Sequence, residues 1–224
     1  SGGAGRRGRP AARLAAMDSH SASTRQGILD AAESEFAWHG YEGAHLQIIA
    51  SHAGVQKTAI YYYFASKAAL YNAVLKNILE HFEAVLSRVI AGRGSHAEKL
   101  SRLVDAFNDI FAERPTYSKI LVRLFVDSPD VLQEDIHAYV HRPVEKILRF
   151  IREGKEQGVF TKASARHFLQ SAVGAMIFHY ASGAFGAAML GVEDIFSESA
   201  VTWRRRENRN MALRALLREP PADS

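Results

Sequence analysis

Lys57, Thr58, Tyr61 and Tyr62 bring an ammonium, a hydroxyl and two phenols into a run of six residues. Placed at about 100° per residue on a helix, Ile60 and Phe64 share one side. Thr58 and Tyr62 then lie opposite them, with Ala59 and Tyr61 on the flanks. A helix that buries Ile60 and Phe64 therefore turns Thr58, Tyr61 and Tyr62 outward near Lys57. Such groups can meet base edges, thymine methyls and phosphates in a major groove. Tyrosines in ordinary core or interface positions give the same spacing, so the pattern alone leaves both readings open. Ser66 and Lys67 open a further helix, where unpaired N-terminal amides and an ammonium together make a phosphate site.

Other candidates are weaker as chemistry. His137 and His141 are four apart, which puts two imidazoles on one helix face and would suit a divalent metal. No third ligand is identifiable, so pocket or surface histidines are the better reading, and neither a metal nor a cofactor is expected. Arg6-Arg7-Gly8-Arg9-Pro10 is similar to the core of an AT-hook, whose arginines enter a narrow minor groove. A solvated basic tail reads the same way. The chain has no cysteine, which removes disulfides, thiolate catalysis and cysteine-ligated metals. It also lacks G-x-S-x-G, a P-loop and H-E-x-x-H, and Gly3-Ala4-Gly5-Arg6-Arg7-Gly8 follows no strand and so is no nucleotide-binding G-x-G-x-x-G; the sequence supplies no recognisable constellation for an enzyme.

The elements that position these residues read as all-α. With 224 residues, 47% hydrophobic and 23% charged, the chain can bury one medium core or two small ones. The net charge is +4, and residues 1–25 hold five arginines against one aspartate, so the excess sits in one segment. Residues 1–22 show no apolar period and are expected to be a disordered basic arm. They also lack the apolar h-region of a secretory signal, so export is not expected and a cytoplasmic setting is. From residue 23 the period is helical. Ser23 and Gln26 resemble a capping box before helix one, roughly 24–39, whose stripe of Ile28, Leu29, Ala32 and Phe36 stops at Gly40. Helix two, roughly 46–53, turns Leu46, Ile49, Ala50 and Ala53 inward. Gly54 then makes the turn into helix three, roughly 57–63, a helix-turn-helix arrangement.

These residues carry a resemblance. Ile28-Leu29-Asp30-Ala31-Ala32, Phe36, Gly40-Tyr41-Glu42, Ile49-Ala50, Ala53-Gly54-Val55, Ile60-Tyr61-Tyr62-Tyr63-Phe64, Ser66-Lys67 and Leu70 follow, in order and spacing, the DNA-binding domain of the TetR family of bacterial transcription regulators. The resemblance implies an N-terminal three-helix DNA-binding domain over 23–70, with helix three as the recognition helix. A larger helical ligand-binding and dimerisation domain over 71–218 and a tail of 219–224 would follow. It also implies a homodimer on a palindromic, double-stranded operator. By position, Gln47, Lys57, Thr58, Ala59, Tyr61 and Tyr62 fall where members contact bases or nearby backbone, and Tyr63 and Lys67 fall on phosphate positions. Ala44-His45 stands where Ser or Thr usually caps helix two; a poor cap costs ~1 kcal/mol and the usual hydroxyl contact to phosphate is lost, with His45 the DNA-contact candidate at that position. Thr58-Ala59 replaces the commoner Gly-Thr and Tyr63 a frequent His. These departures leave the operator sequence undetermined.

Beyond residue 70 the motifs end. Leu100 to Phe111 mark a helix stopping near Pro115, Ile120 to Phe125 a shorter one, and Val131 to Ile151 a long one that Pro143 should kink. Residues 167–192 carry no Asp, Glu, Lys or Arg, yet they are richer in Ala and Gly than in Leu and Ile. A membrane span is therefore not expected. The i+4 spacing of Ala175, His179, Gly183, Ala187 and Gly191 suggests a smooth ridge for dimerisation, with a helix over 195–218 as its neighbour. In that neighbour Arg204-Arg205-Arg206 reads as a solvated face. The family implies a small-molecule effector, expected to be hydrophobic, and the candidate lining is Phe107, Phe111, Phe125, His137, Tyr139, His141, Phe178 and His179. The enzyme reading is set against a ligand-responsive regulator, with an effector-binding or adaptor protein bearing a weakened DNA head as the remaining alternative.

Overall fold

The computed structural model describes residues 8–127 and 134–217. Its elements are α1 (Gly8–Gly43), α2 (Leu46–His52), α3 (Lys57–Tyr63), α4 (Lys67–Ala91), α5 (His96–Glu113), α6 (Pro115–Asp127), α7 (Glu134–Glu156), α8 (Ala165–Ala181), α9 (Gly183–Leu190) and α10 (Glu198–Leu216). The chain divides into a unit ending at Val74 and a second beginning at Leu75, a boundary that falls inside α4.

In the first unit, α1 begins at Gly8, so the expected disordered arm is helical over residues 8–22. Ala11, Ala12, Ala15 and Ala16 explain this. Alanine favours helix without needing an apolar period, and Pro10 sits in the first turn, where its missing N–H costs nothing. Ser23 consequently lies inside the helix and caps nothing, while the Gln26 amide donates to Asp30 at 2.9 Å instead. The run ends where expected: Gly40 takes φ 69°, a conformation that L side chains resist. The turn between α2 and α3 is a Schellman closure, with Gly54 at φ 67° and the Val55 amide donating to the Ala50 carbonyl at 3.0 Å. Ile28, Leu29, Ala32 and Phe36 of α1, Ile49 and Ala50 of α2, Ile60 of α3 and Leu70, Tyr71 and Val74 of α4 are buried as the core. Tyr71 meets Phe36 edge-on at 4.9 Å and Tyr41 at 5.3 Å.

In the second unit, Ser95 and Glu98 form a reciprocal capping box at the start of α5. Helices α5 and α10 lie side by side, tied by Arg205 on Asp109 (Nε to Oδ1, 2.9 Å) and Arg209 on Asp105 (Nε to Oδ1, 3.1 Å). The buried Tyr180 hydroxyl donates to Asn108 Oδ1 at 2.9 Å, and Asn208 Nδ2 donates to the same oxygen at 3.2 Å. Helix α7 is continuous from Glu134 to Glu156 with Pro143 inside it; the expected start at Val131 lies outside the described residues. The smooth ridge expected from Ala175 to Gly191 is broken. Gly183 adopts φ 54° and Ser182 Oγ folds back onto the His179 carbonyl at 2.8 Å, so α9 leaves α8 at 102°. Without a Cβ at 183 the chain can turn where composition alone reads straight on. Among the described residues no single helix is long and apolar enough to cross a membrane.

Candidate nucleic-acid interface

Helix α3 realises the expected wheel. Ile60 and Phe64 are buried, whereas Tyr62 is 81% exposed and Tyr61 50% exposed. Lys57 and Thr58 are exposed beside them, and Ala59 is half-buried. A seven-residue helix cannot hold itself in water, so burial of Ile60 and Phe64 is what fixes the outward direction of the hydroxylated side. From α2, His45 and Gln47 are also exposed.

Tyr63 and Lys67 are committed to contacts of their own. Tyr63 is half-buried, stands edge-on to Tyr62 at 5.0 Å and accepts from Ser21 Oγ at 3.3 Å. Lys67 donates to the Glu42 carbonyl at 3.1 Å, and its ammonium lies 4.9 Å from the Tyr41 ring centre, so it ties down the turn after Gly40. Arg9 falls on helical backbone, which conflicts with the extended backbone of a hook-like motif; Arg6 and Arg7 lie outside the described residues.

Two residues that the sequence pattern did not single out support this face from α1. Arg25 of α1 covers the Phe64 ring at 5.0 Å, holding the end of α3. Glu35, 5% exposed, accepts from the His45 backbone amide at 3.1 Å. Helix α2 has no side-chain cap on its N2 or N3 amide; the Glu35 bond goes instead to the amide of its N-cap residue, His45. The available signal was a carboxylate three residues after Ala32 and seven after Ile28, on the buried face of α1.

The second unit places the expected effector residues unequally. Phe107 and Phe111 join an aromatic cluster around Phe82, at 5.6 and 5.2 Å, to which Tyr117 and Tyr180 also belong. Tyr139 is half-buried and faces two cations, Lys76 at 4.7 Å and Arg142 at 5.4 Å, instead of that cluster. His141 is exposed, and Phe178 is 55% exposed. Neither joins the cluster; in the case of Phe178, α8 turns Met176, Ile177 and Tyr180 inward and leaves Phe178 on the other side. The side chains of Phe125 and His137 lie outside the described residues. His179 is buried edge-on to Tyr180 at 4.6 Å. Loss of water and the nearby Arg204 guanidinium push its imidazole down to about 4, so it is neutral at pH 7, and its Nε2 has no hydrogen-bond partner. Burial also pushes the Tyr180 phenol up to about 12.

The three arginines of α10 divide, contrary to a single solvated face. Arg204 turns inward and donates to the Ala175 carbonyl at 3.1 Å, Arg205 grips Asp109, and Arg206 alone stays exposed. Successive residues on a helix point about 100° apart, so three neighbours cannot share a face. Arg206 and Trp203, with Glu198, Ser199 and Thr202, border an open cleft of about 550 Å³ along α10.

A three-helix head with a Gly-turn pair of short helices and a hydroxylated outer face, followed by an all-helical unit, defines a helix-turn-helix protein of the two-unit helical kind. A sequence model of the bacterial regulatory proteins, tetR family, matches residues 28–74. The HTH-type transcriptional regulator RutR of Escherichia coli (strain K12) is 48% identical over 62 residues, 28% of this chain and 29% of RutR. The HTH-type transcriptional repressor NicS of Pseudomonas putida is 28% identical over 136 residues, 61% of this chain and 59% of NicS. The match thus spans under a third of RutR and about three-fifths of NicS. A TetR family transcription regulator from Marinobacter aquaeolei VT8 shares the fold with a TM-score of 0.71 at 21% identity, covering 89% of this chain and 98% of that one. Residues 28–74 thus carry a helix-turn-helix segment of the tetR kind, and over its length the chain shares the fold of the Marinobacter regulator.

Proposed function

We propose that this protein is a ligand-responsive transcriptional regulator that binds a palindromic operator as a homodimer and is released from it by a small, largely apolar effector. The observation that carries the reading is the face of α3: Lys57, Thr58, Tyr61 and Tyr62 stand exposed on a helix whose opposite side is locked into the core. His45, Gln47 and Ala59 extend that surface, and Tyr63 and Lys67 hold its edges. Paired heads about 34–36 Å apart would enter successive major grooves on one side of the duplex. Repression is the proposed sign, supported by the name NicS carries. The setting is the cytoplasm, where the DNA is.

Pairing is supported by the second unit. Phe178, Phe185 and Met189 of α8 and α9, and Trp203 and Met211 of α10, are large apolar side chains left exposed. A permanent dimer interface buries on the order of 2,000 Å² or more and would cover such groups. The aromatic cluster of Phe82, Phe107 and Phe111 supports an apolar effector, which must bind the DNA-incompetent form better by a coupling of ~1–3 kcal/mol. The N-terminal arginines are proposed to add contacts to flanking phosphates, and deleting residues 1–16 should flatten the salt dependence of binding.

Selection of duplexes from a random library by this chain tests the operator and pairing parts of the reading. Enrichment of an inverted repeat, bound with a stoichiometry of two chains per site, is the expected result. Recovery of no preferred sequence at low salt defeats it.

A further inference from the structure

The segment that leads from α1 into α2 is clamped at two points. Lys67 holds the Glu42 carbonyl, and Glu35 accepts the His45 amide at 3.1 Å. Between them the chain passes Gly43 and the buried Ala44 and then starts α2, which has only seven residues and no side-chain cap. So short a helix has almost no stability of its own, and its starting point is set by whatever holds the first amides.

We infer that Glu35 is a positioning residue for DNA binding: from inside the head it fixes the start of α2, and so the placement of His45 and Gln47 on the proposed DNA face. This rests on the DNA-binding reading above. A carboxylate amid the packed face of Ile28, Ala32 and Phe36 is costly to bury unless it is bonded, so its presence there calls for a job that an apolar side chain cannot do. The His45 N–H supplies the bond, and the amide end of α2 supplies a favourable partial charge. Its other oxygen lies 3.8 Å from His39 Nε2, a looser contact that leaves the His45 amide as the defining one. Glu35 touches no surface that DNA could reach. It acts by keeping the binding-competent arrangement of residues 43–47 populated, and apparent affinity scales with that population.

The test uses the full-length chain and one duplex of about three helical turns, the inverted repeat that the wild type enriches from a random library. Glu35→Gln keeps an acceptor at the same reach, whereas Glu35→Leu keeps the bulk and removes the acceptor. Glu35→Gln should bind within about 3-fold of wild type and Glu35→Leu about 10-fold or more weaker, the share of competent heads having dropped accordingly. Amide hydrogen exchange should quicken at His45 and Leu46 in the leucine variant while Ile60 of α3 stays protected. A purely structural role would instead lower the melting temperature and leave the affinity of folded protein unchanged. Should Glu35→Leu not fold, Glu35→Asp, with its carboxylate drawn back by one methylene, should show the faster His45 exchange and weaker binding. Wild-type affinity in a folded leucine or aspartate variant overturns the inference, as does a glutamine variant as weak as the leucine one. Failure of the wild type itself to enrich any duplex overturns the DNA-binding reading, a result separable from any variant's behaviour.

Discussion

The two units bury apolar cores by the same helical rules but place most of their polar chemistry differently. In the first, the hydroxylated side of α3 is outside, with Ile60 and Phe64 inside and Tyr61 and Tyr62 facing solvent, while Glu33, Glu35 and Asn72 are the polar groups kept within. In the second, polar groups go in, with Tyr180, Asn108, Asn208 and His179 buried where α5, α8 and α10 meet, while Phe178, Phe185 and Met189 stay out. An exposed polar face on a buried apolar one suits a partner that is itself polar, such as duplex DNA. An interior polar network with an apolar exterior suits a partner surface of the same kind. The contrast teaches that outward-facing chemistry follows from a local period, whereas inward-facing chemistry requires a partner from a distant helix.

The contrast can be broken most directly at α3. Replacing Lys57 and Tyr62 together by alanine should weaken binding to the selected duplex by roughly 100-fold, since groups that contact DNA contribute about 1–3 kcal/mol each. Because both side chains are exposed, the melting temperature should hardly move, and a retained affinity in a mobility shift would contradict the reading of the face.

Acid should act on the second unit. His179 titrates near 4 in the folded chain and near 6.5 unfolded, so below 6.5 the unfolded form takes up the proton first. Its neutral burial therefore contributes fully above pH 6.5 and is lost as pH falls toward 4. Between pH 7 and 4.5 urea unfolding should lose roughly 2–3 kcal/mol more in wild type than in His179→Gln. Equal losses in the two would show that the imidazole is not held neutral. Tyr180→Phe should cost about 1–2 kcal/mol in the same measurement by leaving Asn108 with one donor fewer. Smallest of all is Arg205→Met. Its pair with Asp109 is about a third exposed on each side, and its removal should cost under about 1 kcal/mol in urea melts. A larger loss would place the α5–α10 ion pairs among the main supports of the unit.

Legibility followed the same division. The outward side of α3, the Gly40 and Gly54 breaks and the cores of α1 to α3 could be read directly, because each depends on residues within a few turns of one another. Of the expected effector residues among those described, Phe107 and Phe111 meet around Phe82 and His179 lies against Tyr180 of the same cluster; Phe178 and His141 stay apart from it, since which side of α7 or α8 faces inward depends on neighbours far away in sequence. The arm failed for a different reason. A periodicity test looks for an apolar face, and the alanines of residues 11–16 favour helix without one.

The order of residues by itself determined the helical class, the two short helices around Gly54 and the outward Thr58, Tyr61 and Tyr62, since a 3.6-residue period and one positive-φ glycine suffice for these. Only the tertiary structure decided that Glu35 accepts the His45 amide, that Gly183 splits α8 from α9, that Arg204 turns inward and that His179 is buried neutral. Each of those depends on which groups meet across tens of residues. The free energy of burying a charge or orphaning an amide is settled by that meeting and by nothing nearer in the chain.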